Sequence, residues 1–285
     1  MATPMMKSLK MSGYSVDLAI FVEANMALLR ENQFLENIYK IGSIWEFREF
    51  YKKYDYLIAT AGVNPWKVRI INIFLVGAKK FFAKRQKRDI HRIDMNLEIA
   101  SPLLTKSTRE PYIFLNRTIQ CGKYLVESKK NIALAVGSGS KQKFKRWSGF
   151  RDLAKRLKDS ANIIILLGSD EVELESEFRD LGLKIVKEPL ESVVALISKV
   201  DLLVGNDNGL MHIGYALGVN TVTIFGMTNP KETGSYRDNS SNVYLEDLDC
   251  RPCFDPSNDK IGCRSLECLN DISTQMVLSV CQKYL

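Results

Sequence analysis

The stretch VGNDNGLMHIGYALGVNTVTIFG, from Val204 to Gly226, places Asp207, Asn208, Gly209 and His212 where an apolar run gives way to small residues, and His212 is one of only two histidines in the chain. In an open α/β sheet, ligands bind beyond the carboxyl ends of the strands, where the free N–H groups and dipole of the next helix favour an anion. Asp207 or Asn208 can cap a helix that begins near Leu210, Gly205 and Gly209 permit close backbone approach, and His212 falls in the first turn. The same residues also read as a plain capped turn, with His212 a satisfied core group.

Two further clusters share that kind of position. GSGSKQKFKRW, Gly137 to Trp147, follows the apolar run IALAV and couples small hydroxyl-bearing residues such as Ser138 to Lys141, Lys143, Lys145 and Arg146. Such a loop can hold a diphosphate, although the GxxxxGK[ST] spacing of a Walker loop is absent, and a solvated basic loop is the alternative. In LLGSDEVELE a strand ends at Gly168 and acids follow; Glu171 or Asp170 could accept from ribose hydroxyls, or simply favour a helix start.

Two clusters lie outside this pattern. Cys250, Cys253, Cys263 and Cys268 form C-x2-C-x9-C-x4-C. Four thiolates with a CxxC arm suit structural zinc or iron; free thiols or disulfides are the rival readings. LVGAKKFFAKRQKRDIHR interleaves Lys79, Lys80, Lys84, Arg85, Lys87, Arg88 and Arg92 with Phe81 and Phe82, a pattern that suits anionic lipid, an acidic acceptor or nucleic acid, or no more than a solvated surface.

The elements that must carry these residues are legible by period. From Asn131 onward, IALAV, NIIILLG, LKIV, DLLVGND and TVTIFG alternate with GFRDLAKRLKD, EVELESEFRDLG, ESVVALISKV and GLMHIGYALG, the rhythm of a parallel sheet covered on both faces. The first half keeps the rhythm loosely. VDLAIFV and DYLIAT read as strands, and the MALLREN region and the segment after Pro65 read as helices. Residues 1–130 are therefore expected to form one Rossmann-like domain, which opens on the helix ATPMMKSLK as if its first strand were missing. Residues 131–285 are expected to form a second, with a cysteine-rich segment at 250–268.

Composition narrows the setting. With 285 residues, 46% hydrophobic and 26% charged, the chain has ordinary globular values, and no apolar run is long enough to span a membrane. The N-terminus lacks the layout of a signal peptide, so a cytoplasmic location is expected, with peripheral contact at the inner membrane face. A net charge of +7 favours anionic partners.

Taken together, GSGSKQKFKRW, LLGSDE, GNDNGLMHIGYALGVNTVTIFGMTNP and the trailing CRPC resemble glycosyltransferase family 9, the ADP-heptose:lipopolysaccharide heptosyltransferases. The long third motif carries most of the likeness; the first half matches more weakly through ATPMMKSLK, VDLAIFV and HRIDMNLEI. The resemblance implies a GT-B fold, two Rossmann-like domains facing a cleft, and a nucleotide-sugar donor such as ADP-heptose held mainly by the second. It implies that Asp207, Asn208 and Gly209 present backbone donors to the diphosphate, with His212 beside it. Ser138 and Lys145 would hold the phosphates from the opposite loop, and Glu171 would meet the ribose. Asn208 stands where the family has Thr or Ser, and Asn220 where it has Pro.

The family's turn G-D-x-x-x-[TS]-x-P bears the Asp thought to deprotonate the acceptor. Thr3-Pro4 match its end, so that base is expected ahead of Met1, and no catalytic residue is assigned within the chain. The implied reaction is an inverting transfer to a lipopolysaccharide core with no obligatory catalytic metal and no nucleic-acid partner. The rival is a non-catalytic nucleotide-binding remnant or scaffold.

Overall fold

The computed structural model describes residues 1–22, 24–115, 119–246, 248–255, 260–263 and 265–285. The chain divides into two units, Met1–Phe114 and Leu115–Leu285. The division falls ahead of Lys130, because the stretch before β5 (Lys130–Ala135) is bonded to β5 and to the next strand of the second unit. Val126 donates its N–H to Asn131 Oδ1 at 2.9 Å, and the carbonyl of Tyr124 accepts from Asn162 Nδ2 at 2.9 Å.

The first unit opens on α1 (Thr3–Met11), with Pro4 in the first turn, where a missing N–H costs nothing. Met5 and Leu9 of α1 pack with Ala100 and Leu103 at the end of α4 (Arg92–Ala100). Two parallel pairs supply its strands: β1 (Asp17–Ile20) with β2 (Asn37–Lys40), and β3 (Tyr56–Ile58) with β4 (Lys80–Phe82). Each is a strand–helix–strand unit, through α2 (Ala24–Leu29) and α3 (Pro65–Ile71) respectively. α3 passes into a π turn, Asn72–Val76, stopped by Gly77 in the left-handed region at φ 64°.

A short strand, β4, lies within the basic stretch, which the sequence pattern did not show. Phe81 and Phe82 lie in register with Leu57 and Ile58. Lys79 pairs with Asp55, and Lys84 and Lys87 share Glu98.

The second unit is a six-stranded parallel sheet in the order β10-β9-β8-β5-β6-β7. Its further strands are β6 (Ala161–Leu166), β7 (Lys184–Val186), β8 (Leu202–Asn206), β9 (Thr221–Ile224) and β10 (Ser240–Val243). β5, β6 and β8 are near-continuous apolar runs because both faces are covered, and Ile132, Leu134, Ile164, Ile165, Leu202 and Val204 are fully buried. The covering helices include α5 (Phe150–Leu157), α6 (Glu175–Phe178), α7 (Leu190–Ile197), α8 (Gly209–Leu217) and α9 (Pro230–Thr233).

EVELESEFRDLG is more broken than its pattern suggests: α6 is one turn, flanked by tight 3-10 turns at Val172–Leu174 and Arg179–Leu181. After β10 come a short antiparallel ribbon, β11 (Phe254–Asp255) and β12 (Lys260–Ile261), then α10 (Glu267–Asn270) and α11 (Thr274–Cys281). Residues 256–259 and 264 of the cysteine-rich segment lie outside the described residues. Among the described residues no helix is long and apolar enough to cross a membrane.

Strand order reverses between β5 and β8: β6 and β7 extend one way, β9 and β10 the other. A crevice for ligands forms at such a reversal, beyond the carboxyl ends of the strands.

Candidate functional site

β8 ends on Asn206, which is fully buried. A polar side chain at the end of a buried apolar strand is costly unless it is bonded, and Asn206 is bonded at both ends. Its Oδ1 accepts the N–H of Trp147 at 2.9 Å, and its Nδ2 donates to the carbonyls of Val136 at 2.9 Å and Gly137 at 3.2 Å. Asn206 therefore ties β8 to both ends of the loop that follows β5.

Two residues on, Asn208 caps α8: its Oδ1 accepts from Leu210 N at 3.0 Å and Met211 N at 3.3 Å. Its Nδ2 donates to Gly137 O at 2.9 Å, so the amide caps the helix with its oxygen and holds the β5 loop with its nitrogen. The two glycines here differ. A Cβ on Gly205 would stand 2.7 Å from Met211 sulfur and 2.8 Å from Ala135 Cβ, whereas one on Gly209 would meet no protein atom within 4 Å. Packing requires the first glycine and not the second. His212 lies in the first turn of α8, partly exposed, with Nε2 3.8 Å from Asp207 Oδ1 and its ring against Tyr215.

The Gly137–Trp147 loop is shaped from within by Glu171. That carboxylate is buried; Oε1 accepts the N–H groups of Ser138 at 2.8 Å and Gly139 at 2.9 Å, and Oε2 accepts that of Gly168 at 2.9 Å. The guanidinium of Arg146 reaches Oε1 at 3.4 Å and Glu173 at 2.9 Å. Lys143 also pairs with Glu173, and the two cations hold the Glu173 carboxyl down at about 2. Two loop N–H groups that sequence reasoning would aim at a phosphate are thus committed to Glu171, and the exposed acid at this strand end is Asp170. Ser138 Oγ donates to Gln142 O at 2.7 Å, which leaves the hydroxyl oxygen as an acceptor. The side chain of Lys141 lies outside the described residues.

Lys145 closes the loop, its Nζ 4.2 Å from the ring centre of Phe254 on β11. β11 itself hangs from the end of the β9 loop, where Cys253 N and Phe254 N both donate to Met227 O. The cysteine-rich segment therefore supplies a platform for a loop cation, a link that the sequence pattern did not reveal.

The thiols of Cys250, Cys253, Cys263 and Cys268 feel one another. Burial pushes Cys253 up, with its neighbours adding to the shift, and burial pushes Cys268 up to about 11. The chemistry of this donor set fits zinc or iron; among the described residues no group of three or more His, Cys, Asp or Glu side chains is already drawn together as a metal's ligands would be.

Three strand ends thus meet. β5 brings Ser138 and, farther along its loop, Lys145; β6 brings Glu171; and β8 brings Asp207 to His212, all at the reversal of strand order. The sequence profile of Glycosyltransferase family 9 (heptosyltransferase) matches residues 79–261, which takes in all three. The chain belongs to glycosyltransferase family 9.

Among the relatives of this glycosyltransferase, lipooligosaccharide heptosyltransferase 2 from Campylobacter jejuni is 26% identical over 95% of the chain and 87% of its own length. The family 9 glycosyl transferase from Veillonella parvula superposes with a TM-score of 0.79 at 18% identity, over 99% of this chain and 92% of its own. E. coli ADP-heptose lps heptosyltransferase II superposes with a TM-score of 0.73 at 16% identity, over 99% and 93%. The fold is the GT-B fold of these neighbours.

Asn206 and Phe254 are the site residues that sequence reasoning missed. An Asn closing the run DLLVGN was a visible signal for the first, since buried amides in strands need partners. Nothing local marks Phe254.

Proposed function

We propose that this family 9 glycosyltransferase binds an ADP-sugar in its second unit and transfers the sugar, a heptose or a close relative, with inversion to a lipopolysaccharide core. The observation that carries the reading is the gathering of Ser138, Lys145, Glu171 and the α8 N-terminus at one strand-order reversal. The names of the Campylobacter and E. coli proteins supply the sugar class and the acceptor class.

Transfer breaks the bond between the anomeric carbon and the diphosphate while an acceptor oxygen attacks from the opposite face. The leaving diphosphate gains negative charge, so preorganised donors facing it lower the barrier. On this reading Lys145 supplies the cation, steadied by Phe254. Asn208 and Asp207 present the first turn of α8, with its dipole, to the diphosphate, and Gly209 lets a phosphate approach where a Cβ would stand in the way. Ser138 meets the phosphates as a donor, its O–H turning from the carbonyl of Gln142 to a phosphate oxygen. Glu171 keeps the loop open, and Oε2, with its single backbone donor, faces the ribose. His212 lines the donor pocket beside the diphosphate and is not the base that activates the acceptor hydroxyl.

With those groups in place the leaving group needs no obligatory catalytic cation, and transfer is expected to survive chelation. The cysteine segment is structural on this reading. A zinc or iron ion there would have to draw the four thiols inward, and no step of the transfer runs through it. The acceptor is lipid-borne, so the reaction belongs at the cytoplasmic face of the membrane.

Calorimetric titration with ADP tests the site. Lys145→Ala is expected to weaken ADP about 10- to 100-fold, the range of a lost charge-assisted contact. Phe254→Leu, which keeps the bulk and removes the π face, should weaken it about 2- to 5-fold. Unchanged affinity in Lys145→Ala would overturn the assignment.

A further inference from the structure

From Tyr56 to Arg88 the chain has eight Lys and Arg residues and not one Asp or Glu. Within that stretch, α3 and its π turn form one continuous helical rod, and the rod is apolar on both sides. Val68, Leu75 and Val76 are buried, the last two against Phe47 and Phe50. The opposite side is apolar and open to solvent: Trp66 is 68% exposed, Ile70 54%, Ile73 56% and Phe74 70%. A surface helix ordinarily turns its polar side outward, so a rod with two apolar sides needs a second apolar environment.

The neighbouring turn widens the patch. Residues Ile44–Phe50 form a 3-10 helix, Lys52 N donates to Val76 O at 2.7 Å, and Trp45 on that turn is 68% exposed. Lys67 and Arg69 are exposed on the rod itself, with the Arg69 guanidinium 5.4 Å from the Trp66 ring centre.

We propose that this face is a membrane-docking surface, laid flat in the interface of an anionic bilayer. Trp66, Ile70, Ile73 and Phe74 enter the boundary between headgroups and acyl chains, and the surrounding lysines and arginines meet lipid phosphates. The chemistry matches an interfacial helix: tryptophan at the rim, large aliphatics and phenylalanine beneath, cations alongside. From Pro65 to Val76 the rod is far too short to span, so it lies on the membrane.

A second copy of the chain is the poorer occupant, because a symmetric pairing of the rods would bring the exposed Lys67 and Arg69 of one copy against those of the other. The proposal deepens the reading that the acceptor is lipid-borne and gives the enzyme a way to sit beside it. Vesicle binding and ADP binding are separate measurements, so either reading can fail alone.

The test is flotation of the full chain with vesicles of phosphatidylethanolamine and phosphatidylglycerol, and with phosphatidylcholine vesicles alone, alongside tryptophan emission and sedimentation velocity without lipid. The parent should float with the anionic vesicles, shift its emission to the blue and release as salt rises. Ile70→Ser/Phe74→Ser should lose vesicle partitioning by roughly tenfold or more while binding ADP as the parent does. Lys67→Glu/Arg69→Glu, which leaves the apolar side intact, should lose roughly as much through charge. Parent-like flotation of both variants would overturn the proposal. So would equal binding to phosphatidylcholine at high salt, or a lipid-free dimer that Ile70→Ser/Phe74→Ser dissolves.

Discussion

Replacing Asn206 with Ala removes three hydrogen bonds at once, and the structure says which partners suffer. Gly137 O keeps its bond from Asn208 Nδ2 at 2.9 Å, so it stays satisfied. Trp147 N–H and Val136 O lose their side-chain partner inside a buried corner. An unpaired buried backbone group costs about 1–3 kcal/mol, so the two together should cost about 3 kcal/mol. In a unit of this size that is a fall in melting temperature of roughly 6 to 12 °C.

The chain has three tryptophans. With Trp45 and Trp66 changed to Phe, the emission of buried Trp147 reports the second unit alone, which keeps the two units' transitions apart. ADP affinity should fall by about tenfold in the same variant, since the loop carrying Lys145 loses its tie to β8. Asn206→Asp restores an acceptor for Trp147 N–H but turns a carboxylate on two carbonyls, and should be at least as harmful. A loss below about 0.5 kcal/mol with unchanged ADP affinity would refute the claim that Asn206 holds the two loops together.

Gly137→Ala would set a Cβ 1.9 Å from the Glu171 carboxylate, so either the loop or the acid must move. Urea unfolding should show a loss of about 2–4 kcal/mol, and ADP binding should weaken with it; a neutral outcome would show that the Glu171 clasp is dispensable. Cys281 is fully buried and burial pushes its thiol up to about 12, above its unfolded value near 9. Its stabilisation is complete below about pH 9 and fades from there toward 12, with a slope of up to about 1.4 kcal/mol per pH unit. Alkaline urea titrations of the parent and Cys281→Ala should differ by that slope; parallel curves would contradict the burial argument.

The architecture was legible where burial is two-sided and illegible where it is not. IALAV and DLLVGND announce β5 and β8 because both faces of a parallel strand need apolar residues, and each motif then falls at a strand end by necessity. Phe81 and Phe82 hid β4 because two aromatics among lysines have no period of their own, and only pairing with Leu57 and Ile58 makes them a strand. EVELESEFRDLG failed differently: its helical pattern is sound, but Glu171 is drawn into the preceding loop by three N–H groups, which breaks the start of the helix.

Glu171 also bears on how the donor site works. From its place after a strand it reads as a ribose acceptor, and its oxygens also serve Ser138, Gly139 and Gly168. Asn206 and Asn208 grip the same loop from the other side through the carbonyls of Val136 and Gly137. The small-residue loop is thus clasped by a carboxylate on its N–H groups and by two amides on its carbonyls. On the proposed reading, such a loop would not need a phosphate to order it, so binding would lose little to ordering and Lys145 would meet the diphosphate already in place. If that holds, cutting either clasp should weaken ADP through a slower or rarer competent loop, whereas cutting Lys145 should weaken it through charge alone. Salt separates the two, because the affinity lost with Lys145→Ala shrinks as ionic strength rises and the affinity lost with Asn206→Ala does not.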